Sequence, residues 1–284
     1  MITDAQVHLF PPDSPEKPWP KEPGRGAPKV PFYTYEQMIG AMDAIGVDRA
    51  AIVPPVWAGD TNEYAFEACA AFPGRFGIMG RIDPFAPGSA DMLETWMQQP
   101  DMLGIRLSSR WSTRDELFPT LLAAGELDWF FDLAATYEIP LKLLTRDALH
   151  AIDGVAAKHP RLRLIIDHMA TVDKDTVEGS FKHLETLLAL AKHPNVHVQV
   201  STAPNHSRQQ YPFEDVHPIL RRIHDAYGAG REIWAADITQ LAKGKNTYAE
   251  CLRLWQEVLP FLSADDRDRI LGKTAAEALR WPES

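Results

Sequence analysis

Along this chain, short runs of Val, Ile, Leu and Met alternate with longer stretches whose apolar positions recur every three to four residues. The short runs predict strands at 2–9, 49–53, 76–82, 102–107, 139–144, 162–166, 196–201 and 232–236. The longer stretches predict helices at 35–45, 62–71, 90–98, 129–137, 148–158, 181–192 and 218–226. The first helix shows the logic: Thr34 and Gln37 form a capping-box pair, Met38, Ile39, Met42 and Ile45 share one face, and Gly46 ends it. Strands separated by helices imply a parallel sheet. Eight such units at about 35 residues each fit a single-domain α/β chain, a closed (β/α)8 TIM barrel over 1–284. A doubly wound open sheet is the alternative, but no Gly-rich phosphate loop follows any strand.

Composition narrows the setting. Hydrophobic residues are 45% and charged residues 24%, values of an ordinary globular chain. The formal net charge of −10 opposes binding to phosphate backbones and to anionic membrane surfaces, so no nucleic-acid or membrane partner is expected. Cys69 and Cys251 lie in apolar helical contexts and read as buried thiols in a reducing compartment. No run of 18 apolar residues occurs, and the opening MITDAQVHLF has no basic region or cleavage site, so a cytoplasmic location is expected. A homo-oligomer is compatible with all of this.

Proline is the outlier: 23 residues, eight of them between Pro11 and Pro31. In a barrel this segment is the first βα loop, at about 11–34, on the side where active sites lie. A stiff cover in which Trp19 packs over the mouth is expected. Trp57 and Trp111, in the second and fourth loops, could stack on a planar ring or staple their loops, and stapling is the expectation.

The C-terminal strand ends carry the chemistry. Strand 1 brings Gln6 and His8 to one face by its period of two. Strand 4 ends in Arg106, strand 6 in Asp167-His168, and strand 8 in Asp237. Arg81 on strand 3 and Lys142 on strand 5 add cations, and Ser201-Thr202 with Asn205-His206-Ser207 follow strand 7. Asp167 and Asp83 could orient a neighbouring base or cation. By contrast, Ala157-Lys158-His159-Pro160 and Ala191-Lys192-His193-Pro194 repeat one helix-to-strand boundary, which puts His159 and His193 on the opposite, structural end.

These residues resemble the amidohydrolase superfamily, in its amidohydrolase-related TIM-barrel branch. Asp4-Ala5-Gln6-Val7-His8 is similar to the family's opening D-x-H-x-H. Gly104-Ile105-Arg106, Ile165-Ile166-Asp167-His168-Met169, His197-Val198-Gln199-Val200-Ser201 and Trp234-Ala235-Ala236-Asp237 resemble its fourth, sixth, seventh and eighth strands. The resemblance implies a metal site at the strand-1 histidines, often a strand-5 histidine, and the strand-8 aspartate. Here the first histidine is Gln6, and strand 5 offers Lys142 in place of a histidine. His8, His168 and Asp237 would remain to hold one divalent ion such as zinc. The expectation is a site without metal or other cofactor.

Without a metal, the resemblance points to 2-pyrone-4,6-dicarboxylate lactonase and sugar-lactone hydrolases. It implies hydrolysis of a lactone or similarly activated cyclic ester, with Asp237 as general base and Arg106, helped by His8 or His168, polarising the carbonyl. Gln6, Arg81, Lys142, Trp19 and Ser201 are expected to bind substrate. The converging cations point to a small anionic, carboxylate-bearing molecule. A metal-dependent decarboxylase of the same superfamily, and a non-catalytic small-molecule-binding barrel, are the alternatives.

Overall fold

The structure is a computed structural model that describes residues 1–15, 18–19, 33–108, 118–241 and 246–281. Its strands are β1 (Thr3–Val7), β2 (Arg49–Ile52), β3 (Phe76–Gly80), β4 (Met102–Leu107), β5 (Leu141–Leu143), β6 (Leu164–Ile166), β7 (Val196–Ser201) and β8 (Glu232–Ala235). They form one eight-stranded sheet in the order β1 to β8, and every adjacent pair is parallel. The chain is a (β/α)8 TIM barrel.

Between β1 and β2 runs α1 (Tyr35–Ile45), capped by the expected reciprocal Thr34–Gln37 pair and closed by Gly46 in the left-handed region at φ 78°. Then follow α2 (Glu63–Ala71), α3 (Ser89–Thr95), α4 (Phe118–Ala123), α5 (Asp128–Thr136), α6 (Ile152–Lys158), α7 (Val177–Ser180), α8 (Leu184–Leu190), α9 (Ala203–His206) and α10 (His217–Tyr227). Past β8 lie α11 (Tyr248–Arg253), α12 (Ala264–Asp268) and α13 (Thr274–Leu279). The predicted 148–158 helix begins as a 3-10 turn over Arg146–Ala151, and the predicted 90–98 helix ends as one over Trp96–Gln98. The predicted 181–192 helix is helical only from Leu184 to Leu190.

Two apolar cores divide the molecule. Val7, Ile52, Ile78, Ile105, Leu107, Val198 and Trp234 face outward against the helices. Ala5, Ala51, Met79, Leu103, Ile165 and Ile233 pack inside the barrel, above a floor made by Ala275, Ala278, Leu279 and Trp281. Arg49 lies over the Trp281 ring, 4.4 Å from its centroid. The repeated Lys-His boundary holds this end together: Lys158 and His159 meet Asp132, while Lys192 and His193 meet Asp153.

Two local irregularities aim side chains inward. On β1 the register shifts between Asp4 and Val7, so that Ala5 packs inside and Val7 outside. On β4, Gly104 takes φ 154°, where a Cβ would meet the Pro140 carbonyl oxygen at 2.3 Å; Leu103 and Arg106 consequently both leave the outer core. Such bulges re-aim side chains at barrel rims. The β8–β1 seam is closed by Asp4, whose Oδ1 accepts from Gln6 N (3.1 Å) and Ala236 N (3.0 Å), and by the Asp237 N–H on Gln6 O (3.2 Å).

Candidate active site

At the C-terminal ends of the strands lies a cavity of about 300 Å³, a size suited to a small molecule. Phe10, Pro55, Val56, Trp57 and Leu144 form its apolar wall. His8, Arg106, His168 and Asp237, the four residues expected to be catalytic, all line it. Thr171, Asp173, Thr202, Asn205, His206, Thr239 and Gln240 complete a polar wall that strand-end reasoning covered only in part.

The backbone turns sharply where these side chains are presented. His168, Met169 and Ala170 hold φ of 50°, 53° and 55°, Thr202 holds 56° and Asp237 holds 52°. Each costs on the order of 1 kcal/mol or more for a residue with a Cβ, and such conformations gather at functional sites. Here they follow β6, β7 and β8 directly, at the cavity wall.

Both histidines are neutral with fixed proton positions. His8 Nδ1 lies 2.6 Å from the Val53 carbonyl, which only accepts, so Nδ1 carries the proton and Nε2 is bare. That Nε2 stands 3.6 Å from Asp237 Oδ1. Burial, with Arg106 adding to it, pushes His8 down to about pKa 4. His168 is pushed down to about 3, burial again leading. Its Nε2 is 3.1 Å from Gln6 Nε2 and 3.8 Å from Asp237 Oδ2, and its Nδ1 is 2.7 Å from Ser201 Oγ.

Gln6 decides which way His168 faces. Its Oε1 receives Lys142 Nζ at 3.3 Å and Gln199 Nε2 at 3.0 Å. An ammonium has no acceptor to offer, so Oε1 must lie on that side and Nε2 must donate to His168. His168 therefore keeps its proton on Nδ1, toward Ser201. In this arrangement neither imidazole presents an N–H to the cavity. Arg106 lines the cavity with its Nε fixed by Asp167 Oδ2 at 3.0 Å. Burial raises the Asp167 carboxyl, but Arg106, Lys142 and His168 outweigh it and hold the group below its ordinary range.

The residues expected to bind substrate sit elsewhere. Arg81 donates to Asp60 (2.6 Å) and Ser108 (2.9 Å), outside the cavity lining, because Asp60 from the second βα loop captures it. Lys142 is fully buried beneath the cavity on Ala5 O (2.6 Å) and Gln6; burial pushes its ammonium down to about 8. Gln6 and Ser201 are buried supports of His168 and do not line the wall. Trp19 is one layer back: its ring centroid is 5.9 Å from Phe10 and 4.7 Å from Trp57, and its Nε1 donates to Pro11 O. Trp57 itself lines the cavity, and Trp111 lies outside the described residues. Asp83 caps a turn through the Phe85 N–H, and Ser207 bonds Asp215.

His8 Nε2 and Asp237 could contribute to a divalent ion, but the third donor is engaged. Freeing His168 Nε2 requires breaking its bond from Gln6, and catalytic zinc sites typically keep three protein ligands. Among the described residues no cluster of three or more His, Cys, Asp or Glu is arranged to hold a metal. The residues present, as they are arranged, do not fit a divalent cation.

An eight-stranded parallel barrel whose strand ends deliver histidine, arginine and aspartate into one cleft has the layout of a TIM-barrel enzyme. The chain matches the Amidohydrolase family over residues 3–281 and belongs to it. It is 25% identical over 244 residues to L-fucono-1,5-lactonase of Burkholderia ambifaria, spanning 83% of this chain and 81% of that one. It is 26% identical over 244 residues to 4-sulfomuconolactone hydrolase of Hydrogenophaga intermedia, spanning 82% and 73%. Among solved structures, an amidohydrolase from Burkholderia multivorans with bound zinc superposes with a TM-score of 0.77 at 20% identity over 99% and 100% of the two chains. A probable 2-pyrone-4,6-dicarboxylic acid hydrolase from Acinetobacter baumannii gives 0.75 at 15% over 99% of each. A dihydroxybenzoic acid decarboxylase from Polaromonas sp. JS666 with bound manganese gives 0.68 at 13% over 100% and 98%. These structural likenesses establish the fold. No described helix is long and apolar enough to cross a membrane.

Proposed function

We propose that this chain hydrolyses a small lactone without a metal ion, with Asp237 as general base. The carrying observation is the facing pair of acceptors, His8 Nε2 and Asp237 Oδ1, 3.6 Å apart at the cavity wall. A water seated there directs one O–H to each and turns its lone pairs outward, toward an ester carbonyl. Asp237 takes the proton as the water oxygen bonds to the carbonyl carbon. Arg106 meets the negative charge that develops on the carbonyl oxygen. The ring C–O bond then breaks, the proton passes from Asp237 to the departing ring oxygen, and a hydroxy acid is released. The names of the two sequence relatives, both lactone hydrolases, support this reading.

The cavity supports a hydroxyl-bearing substrate over a polycarboxylate. With Arg81 and Lys142 turned away, Arg106 is the one Lys or Arg among its described lining residues, while Thr171, Thr202, Asn205, Thr239 and Gln240 offer neutral hydrogen bonds. Decarboxylation is less well served, because a proton-donating His168 would need a ring nitrogen that is not already engaged by Gln6 or Ser201.

The test pairs L-fucono-1,5-lactone with 2-pyrone-4,6-dicarboxylate as substrates. Chelator-treated protein, shown by elemental analysis to be metal-free, is expected to open the sugar lactone at full rate. Asp237→Asn is expected to lose about 10²–10⁴-fold. Loss of activity on chelation with recovery on zinc, or full activity in Asp237→Asn, overturns the mechanism. Saturable binding of both lactones without turnover leaves a binding barrel instead.

A further inference from the structure

Beneath the cavity, Lys142, Gln6 and Gln199 are buried in the barrel interior and are not themselves among the residues that line the cavity. With His168 and Ser201 they make a closed circuit. Gln199 Nε2 donates both to Gln6 Oε1 (3.0 Å) and to Ser201 Oγ (3.0 Å). Ser201 Oγ takes the His168 Nδ1–H at 2.7 Å, and His168 Nε2 takes the Gln6 amide at 3.1 Å. Lys142 Nζ, tied to Ala5 O at 2.6 Å, enters the circuit at Gln6 Oε1 and sets its direction. Buried polar side chains are costly unless they are hydrogen-bonded, and each bond of this circuit pairs a donor with an acceptor: Gln199 Nε2 donates on both sides and Ser201 Oγ accepts on both.

We propose that Lys142 and Gln199 are positioning residues that lock Gln6 so that its amide caps His168 Nε2, fixing His168 as the Nδ1–H tautomer and closing the coordination position a divalent cation would need. The inference rests on the metal-independent reading above, but what it fixes is a proton position that can be observed without substrate. The charges facing Lys142 are Asp167 on the end of β6, Arg106 on β4, Asp4 on β1 and Asp237 after β8. Two carboxylates of this set line or buttress the cavity, so the ammonium also supplies positive charge beside them where a metal would otherwise do so. Gln199 was legible in the sequence, since Val196–Ser201 alternates apolar residues with His197, Gln199 and Ser201.

The experiment reads the imidazole nitrogens of His168 by long-range 1H–15N NMR on labelled protein. In the wild type Nδ1 is expected to be protonated and Nε2 bare. Lys142→Met and Gln199→Leu are each expected to give a mixture of tautomers, and a 10- to 100-fold lower kcat at little-changed KM. Gln199→Leu alone carries the test if Lys142→Met does not fold. In the second arm, equilibrium dialysis with zinc is expected to load one ion per chain in Gln6→Ala/Lys142→Met, which opens His8, His168 and Asp237, and none in the wild type. A wild-type Nε2–H tautomer, wild-type tautomers in every folded variant, or equal zinc uptake by wild type and double variant overturns the proposal. The expected tautomer in a protein that opens no lactone would leave this inference standing and refute the proposed function.

Discussion

Nε2 of His8 and Oδ1 of Asp237 face each other across 3.6 Å, and because the His8 proton is held on Nδ1 by the Val53 carbonyl, neither atom can donate to the other. The relationship is that of two facing acceptors, which in the proposed mechanism share one water. Replacing His8 by Leu removes one of them and is expected to lower kcat/KM by about 10- to 100-fold, less than Asp237→Asn.

The pH profile follows from the same pair. A histidine pushed down to about 4 remains neutral through the mildly acidic range. Below that it gains a proton, becomes a donor and ion-pairs with Asp237. The acid limb of kcat/KM is therefore expected near or below pH 4–5 in rate measurements across pH 3.5–8. A limb centred near 6.5 would mean that His8 is solvated and free to titrate.

In the proposed mechanism Arg106 meets the transition-state charge, and in the fold it pairs with buried Asp167. Arg106→Met is expected to reduce kcat about 10²–10³-fold and to lower the melting temperature, because Asp167 is left buried without its cation. Adding Asp167→Asn is expected to restore the melting temperature but not the rate. Recovery of rate in the double variant would assign carbonyl polarisation elsewhere.

Asp4 bears on stability at the seam. Burial pushes its carboxyl up to about 7, against a partial offset from the Ala236 and Gln6 amides. Its folded value lies above the unfolded 3.8, so the folded state binds the extra proton and wild-type stability falls as pH rises between those values. Asp4→Asn keeps an oxygen for both amides and carries no charge. Its advantage over wild type in urea midpoints is expected to grow by roughly 2–3 kcal/mol from pH 5 to pH 8. An advantage independent of pH would show that Asp4 is ionised throughout.

Trp19 holds Trp57 and Phe10, which form the cavity wall. Trp19→Ala is expected to raise KM about 3- to 10-fold with kcat nearly unchanged, since about 1 kcal/mol of aromatic packing is at stake. Deleting residues 14–27 is expected to act in the same direction. A larger effect on melting temperature than on KM would make the loop a structural staple.

The barrel was readable because its elements announce themselves locally: the Thr34–Gln37 cap, the apolar runs and the Lys-His-Pro boundaries are all short-range signals. The strand-end positions of His8, Arg106, His168 and Asp237 followed from the same reading. What remained hidden depends on partners distant in the chain. Arg81 and Arg106 look alike in sequence, yet Asp60 turns one away while Asp167 steadies the other at the cavity. Lys142 reads as a substrate cation until Gln6, 136 positions away, shows it to be a buried prop. The shift at Asp4–Val7 and the bend at Gly104 break the period of two that strand reasoning assumes.

The seam has a bearing on how the protein comes into being. Asp4 and Ala236, which join β1 to β8, are separated by 232 positions. During synthesis β1 must wait, its carboxylate and inward side chains unsheltered, until β8 has emerged. His8 is made well before Asp237, which arrives only with the strand that seals the wall. A nascent chain thus holds only half of the His8–Asp237 pair, and the pair is assembled in the same step as closure.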